Sequence, residues 1–226
     1  MTASDFTPSR DARVQWWKDT YPDRVTVFDD AERHGVMWNH QRIIEDFVAS
    51  GEDYTLVVQD DAIPLEGWED HLEQVMSVAS RFPLSLCHFQ KRGLKLWDRG
   101  ICFGYATNCA WGQAIVYSRR FATDYLHTLR DLATIDPITW QRSDDGILVV
   151  HNLLTGNKSS FTTRALFDHA DGHSTLGHLS KGRNPVATIE THPGEWTATE
   201  TSHSLPITGT MQRAAKMVAD YREQML

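Results

Sequence analysis

The sequence predicts an α/β fold, a single α/β/α sandwich with helices on both faces of a mostly parallel central sheet. Three observations predict it: β-branched runs alternate with stretches of helical periodicity, the apolar runs are short, and no internal repeat, low-complexity segment or long Pro/Gly/Ser linker divides the chain. With 226 residues, 41% hydrophobic and 23% charged, the chain has room for one sizeable core and a short annex. Residues 1–180 form the main domain in this reading. Residues 181–226, rich in Thr, Ser, His and Pro, form an extension packed on it as a lid or docking arm.

The elements follow in order. Val25 to Phe28 is a short β-branched run ending at Asp29-Asp30, and Gly35 to Ala49 then has helical periodicity. On that helix Met37, Ile44, Phe47 and Val48 share one face and belong to the core, while Trp38, Asn39 and Arg42 project from the other side and are left to touch a ligand. Tyr54 to Val58 reads as a strand that stops at Gln59-Asp60-Asp61-Ala62-Ile63-Pro64, because Pro64 lacks the N–H a central ladder needs. Gly67 to Arg81 is a second amphipathic helix, with Trp68, Leu72, Val75, Met76 and Ala79 on one face. Strands follow at Leu84 to Phe89 and Asn108 to Tyr117, a helix begins near Ser118, another runs from Asp144 to about Leu154, and Ser160 to Phe167 is the last strand of the main unit. Met211 to Met225 regains helical character.

Composition narrows the function. A net charge of −8 opposes any role that relies on an overall field for coating nucleic acid or anionic membrane. One local basic stretch stands out, Lys91 to Arg99, read first as a solvated loop. No apolar run approaches the roughly 20 residues of a membrane span, and the first residues show no apolar leader, so a cytoplasmic protein is expected. Three cysteines without CxxC spacing suggest neither a disulfide framework nor a cysteine zinc site. There is no GxxxxGK[ST], no GxGxxG after a strand and no serine elbow, which sets aside kinases, dinucleotide-dependent reductases and serine hydrolases.

The chemistry points to Asp60-Asp61. In open α/β sheets ligands bind beyond the carboxyl ends of strands, and two adjacent carboxylates there repel unless a positive charge, such as a divalent cation bridging to a diphosphate, compensates them. The competing reading is a turn or cap in which these acids accept backbone N–H bonds. Leu56-Val57-Val58-Gln59-Asp60-Asp61-Ala62-Ile63-Pro64, followed by Trp68 and an amphipathic helix, resembles the DxD region of GT-A-fold glycosyltransferases, with Gln59 at the first acidic position. The resemblance implies a GT-A-like (Rossmann-like) fold and a Mn²⁺ or Mg²⁺ held by Asp61 with Asp60 in support. It also implies a nucleoside diphosphate sugar, a UDP-sugar first, as donor.

Further segments resemble that family in the expected order. Val25 to Asp30 with Gly35 to Asn39 resembles the nucleotide-binding strand and helix. The resemblance implies that Asp29 or Asp30 pairs with base or ribose and that Trp38, Asn39, Arg42, Gln59 and Asp60 contact the donor, Arg42 approaching phosphate. Ala110 to Tyr117 resembles the strand that lines the sugar and acceptor side. Trp140 to Asp145 resembles the acidic motif that supplies the base of inverting members, which implies Asp145 as the first candidate base and Asp144 as the second. The competing reading is structural, since Ser143 and Asp144 are good N-caps and Asp144 then serves as the helix cap. Leu166 to His178 resembles the late strand and Ser-rich loop whose histidine completes the metal shell, which implies His169 first and His173 second. The implied activity is hexosyl or pentosyl transfer to a hydroxyl of an acceptor glycan, a polysaccharide precursor, or, in a phage, a hydroxylated base of modified nucleic acid. Two other classes compete: a metal-dependent phosphoesterase or nuclease, and a non-catalytic carbohydrate-binding module using some of the eight tryptophans as stacking platforms.

Overall fold

The computed structural model describes residues 2–3, 8–79, 82–87, 103–106, 113–135, 144–163, 165–169, 198–200, 216, 218–220 and 222–223. In chain order these form β1 (Thr2–Ala3), α1 (Pro8–Thr20), β2 (Phe28–Asp29), α2 (Val36–Ser50), β3 (Tyr54–Val58), β4 (Ala62–Pro64), α3 (Trp68–Val78), β5 (Leu84–Ser85), β6 (Phe103–Ala106), β7 (Ala114–Ser118), α4 (Arg119–Ile135), α5 (Asp144–Thr155), β8 (Ser159–Thr162), β9 (Phe167–His169) and β10 (Ala198–Glu200). Six strands make the main sheet, in the order β10-β6-β8-β5-β7-β3, and two small sheets pair β1 with β2 and β4 with β9.

Strand alternation sorts the side chains into two cores. Val57, Ile115 and Tyr117 point to the face covered by α2, α4 and α5, while Val58, Ala114 and Val116 point to the face covered by α1 and α3. The helices have the faces their periodicity promised. Met37, Ile44 and Phe47 of α2 are buried, and Val75 of α3 is buried with Trp68, Leu72, Met76 and Ala79 packed beside it. Each such large apolar side chain contributes about 1.5–3 kcal/mol when fully buried. Val218, near the end of the chain, is also buried in the first core, and β10 adds the C-terminal segment to the sheet edge. Among the described residues no helix is long and apolar enough to cross a membrane.

The sheet corrects the expected parallel arrangement. It is mixed and mostly antiparallel: β3/β7, β7/β5 and β6/β8 are antiparallel, and only β5/β8 and β6/β10 are parallel. The expectation rested on strands alternating with helices, and alternation alone leaves direction open, because a strand's direction is set by the end of the sheet from which the chain enters it. Three boundaries also move. The strand read at Val25 to Phe28 is Phe28–Asp29. The strand read at Leu84 to Phe89 is described as Leu84–Ser85. The run Ser160 to Phe167 divides into β8 of the main sheet and β9 of a small one.

The first core also contains polar groups. His151 is fully buried in α5, its Nδ1 2.8 Å from the Thr128 hydroxyl and its ring edge-on to Phe121 and Tyr125. Burial, which disfavours the charged ring, pushes its pKa down to about 4, with Asp124 opposing weakly. His40, also buried, lies edge-on to Tyr117 and Tyr125.

Candidate functional site

The pairings fix which chain segments meet. Strands β3, β5 and β8 run in the same direction, so their carboxyl ends share one end of the sheet, where β7 and β6 begin. Helix α2 shares a core with β3 and reaches it through a three-residue connection, 51–53, so it runs back antiparallel and its N-terminus returns to that same end. The three-residue connection 156–158 between α5 and β8 places the start of α5 there too. Four of the segments singled out from the sequence therefore converge: the start of α2, the Gln59-Asp60-Asp61 segment, the start of α5 and His169.

The acid pair occupies a tight turn. Gln59 N–H continues the β3–β7 ladder to the Gln113 carbonyl at 2.8 Å, and Ala62 N–H returns to the Gln59 carbonyl at 3.1 Å, making Asp60 and Asp61 the two central residues. Arg33 is the only non-glycine residue with positive φ among those described, so both acids keep negative φ and the turn is not of the kinds that require a glycine. Asp60 is buried at 6% exposure and Asp61 half-buried. Acids are shielded to that degree only when bonded. The turn is held from outside by α1, whose Arg13 Nε donates to the Asp60 carbonyl at 2.7 Å.

Directly after the turn, β4 pairs antiparallel with β9, with Ala62 opposite His169, Ile63 opposite Asp168 and Pro64 opposite Phe167. This sets the backbone of the expected late histidine beside the residue that follows Asp61. The ladder is anchored below by aromatics. Phe167, fully buried, stacks on Trp17 of α1 with ring centroids 6.3 Å apart and meets Trp68 of α3 edge-on at 5.1 Å. Leu166 N–H donates to the Leu86 carbonyl at 2.8 Å, and Leu65 N–H to the Leu166 carbonyl at 3.0 Å, tying β9 to the end of β5.

The other expected ligand-binding residues have defined surroundings. Both carboxylate oxygens of Asp30 accept backbone N–H bonds at 2.8 Å, from His34 and Gly35, so this acid closes the loop before α2. Asp29 is exposed, and its carbonyl accepts from Arg42 at 3.3 Å. Asn39 departs from the ligand-facing position expected of it. It is buried at 2% exposure and its Nδ2 donates to the Phe28 carbonyl at 2.8 Å, because α2 needs a polar tie to β2 at that height. Arg42 is likewise engaged, its guanidinium 4.5 Å from the Trp38 ring centre and 5.7 Å from that of Phe28. Trp38 is half-buried between Arg42 and His34, whose ring centroid is 4.2 Å away.

Asp144 and Asp145 open α5 as described, and the residues before them lie outside the described residues. The side chains of Asp144, Asp145 and His169 lie outside the described residues, as do His173, the stretch 91–99 and Ala110 to Gly112. Among the described residues no three His, Cys, Asp or Glu side chains gather to hold a metal ion. What the described turn offers is the two carboxylates of Asp60 and Asp61, oxygen donors of the kind that suit Mn²⁺ or Mg²⁺.

Residues that sequence reasoning missed also stand at this end. Thr162 Oγ1 and Gln113 Oε1 are buried atoms with no hydrogen-bond partner among the described residues, at the end of β8 and the start of β7. Arg13 was missed because α1 was not read as a helix; Val14, Trp17 and Tyr21, at i, i+3 and i+7, carry the signal. Comparison with protein-family models, curated proteins and solved structures returned no match.

Proposed function

We propose that this chain is a metal-dependent glycosyltransferase of GT-A-like fold that moves a hexosyl or pentosyl group from a nucleoside diphosphate donor, a UDP-sugar first, to an acceptor hydroxyl. The observation that supports the reading is the β4–β9 ladder, which brings His169 alongside the buried acid turn where three strands present their carboxyl ends. Asp61, with Asp60 and His169, would hold Mn²⁺ or Mg²⁺, which when bound supplies positive charge beside the departing diphosphate. The chain's own groups do the rest. Gln59 offers hydrogen bonds without charge, Trp38 stands beside the nucleoside with Arg42 and His34 against its ring, and Asp145, at the start of α5, takes the proton of the attacking hydroxyl.

The acceptor class is a glycan precursor or, in a phage, a hydroxylated DNA base, the second drawing on the basic stretch Lys91 to Arg99. A panel of nucleotide sugars with Mn²⁺, read by thermal unfolding, tests the donor assignment, since a ligand that binds the native state raises the melting temperature by mass action. At least one UDP-sugar should raise it, and only with the metal present. A flat response across the panel, together with hydrolysis of a simple phosphodiester, would replace this reading with the phosphoesterase one.

A further inference from the structure

We infer that Arg13 is an anion-binding residue of this site, receiving the diphosphate of the donor through the Nη edge of its guanidinium. The inference rests on the glycosyltransferase reading for the identity of the anion and on the structure for the residue. Helix α1 lies on the second core through Val14 and Trp17, and this packing brings the neighbouring Arg13 over the acid turn. Its Nε donates to the Asp60 carbonyl at 2.7 Å. That bond fixes the plane of the group. The two Nη groups make no hydrogen bond or ion pair among the described residues, although Arg13 is half-buried.

A guanidinium anchored by Nε alone keeps its outer fork for a bidentate partner, and phosphate oxygens match that fork in spacing and charge. Partial burial strengthens the case, because a cation taken from water without a counter-ion is costly unless its ligand supplies one. Charge balance also asks for it. A diphosphate beside a cation held on two carboxylates still carries excess negative charge, which a second positive group compensates. Arg42, the arginine expected to approach phosphate, is instead stacked on Trp38 and bonded to the Asp29 carbonyl.

Calorimetry with inorganic pyrophosphate on the full chain separates the two claims. Wild type and Arg13→Gln are titrated first in a chelator and then with Mn²⁺, and Mn²⁺ alone is titrated as a third arm. Glutamine keeps a donor for the Asp60 carbonyl but loses the charge and the fork, so the turn survives. Its metal-free pyrophosphate affinity should fall about tenfold or more, with Mn²⁺ affinity unchanged. Arg13→Lys should recover only part of the loss, since an ammonium is a point charge without the fork. Equal pyrophosphate affinity in wild type and Arg13→Gln, or no metal-free binding to wild type, overturns the role of Arg13. Failure of Mn²⁺ to bind wild type, with the metal-free difference intact, overturns the glycosyltransferase reading alone.

Discussion

At one end of the central sheet the chain turns from α2 into β3 and from α5 into β8 in three residues each, with Gly51 and Gly156 at φ +81° and +70°, and Arg119 paired to Asp53 at 2.6 Å. At the other end β3 closes on two adjacent carboxylates, an arginine reaches across from another helix, and Thr162 and Gln113 carry buried atoms that no described group satisfies. The first end is built from local signals that any sequence of this fold needs: a left-handed residue to finish a helix and a surface ion pair. The second gathers polar groups that, on the proposed reading, a ligand would compensate. The proposed function thus divides stability and chemistry between the ends, and substitutions can show whether the division holds.

The largest effect belongs to Asp61→Ala. Metal-dependent release of nucleotide from the donor should fall by at least about a thousandfold with little change in melting temperature. A carbohydrate-binding module would instead keep its sugar affinity. Phe167→Ala should act on both properties, because it opens a cavity under the ladder. Denaturant unfolding should report a loss of about 3–5 kcal/mol, and Mn²⁺ titration a weakened site. His151 tests the core away from both ends. It titrates at 6.5 when unfolded and at about 4 when folded. The unfolded chain therefore binds its proton more tightly, and stability is complete above pH 6.5 and declines as pH falls toward 4, by about 3 kcal/mol in all. The difference between wild type and His151→Leu in denaturant midpoint across this window isolates the term. Gly51→Ala should cost about 1 kcal/mol through its left-handed φ and leave kcat/KM unchanged. Asp53→Ala, breaking an exposed pair, should cost less than about 1 kcal/mol, again without effect on turnover. A change in turnover from either of the last two would end the separation drawn here.

The helices were legible because their signals are local. Gly35 to Ala49 and Asp144 to about Leu154 match α2 and α5 to within a residue, the apolar face of each being decided by spacing within the helix itself. Strand direction was not legible, since it depends on which end of the sheet the chain re-enters, and nothing in Ala114–Ser118 records that. The site was legible in part. Asp60-Asp61 at a strand end follows from a β run halted by polar residues, whereas β4 is three residues long, ends in Pro64, and takes its partner from far along the chain. Asn39 misled for a similar reason: helical spacing puts it off the apolar face, but the contact that ties down its buried side chain comes from β2. Arg13 belongs to α1, a helix mostly of polar residues whose apolar stripe rests on Val14 and Trp17 with Tyr21 just beyond its end.

The pairing of Ala62–Pro64 with Phe167–His169 has a consequence for folding. Three-residue ladders between remote segments have no stability of their own, and closing so long a loop is entropically unfavourable until the intervening strands are in place. The acid turn backed by the β4–β9 ladder is therefore a late product of assembly, absent from either half of the chain in isolation. If the proposed site holds manganese, recovery of that affinity during refolding should lag behind the return of helical signal, which would make the cation a reporter of the last step to native structure.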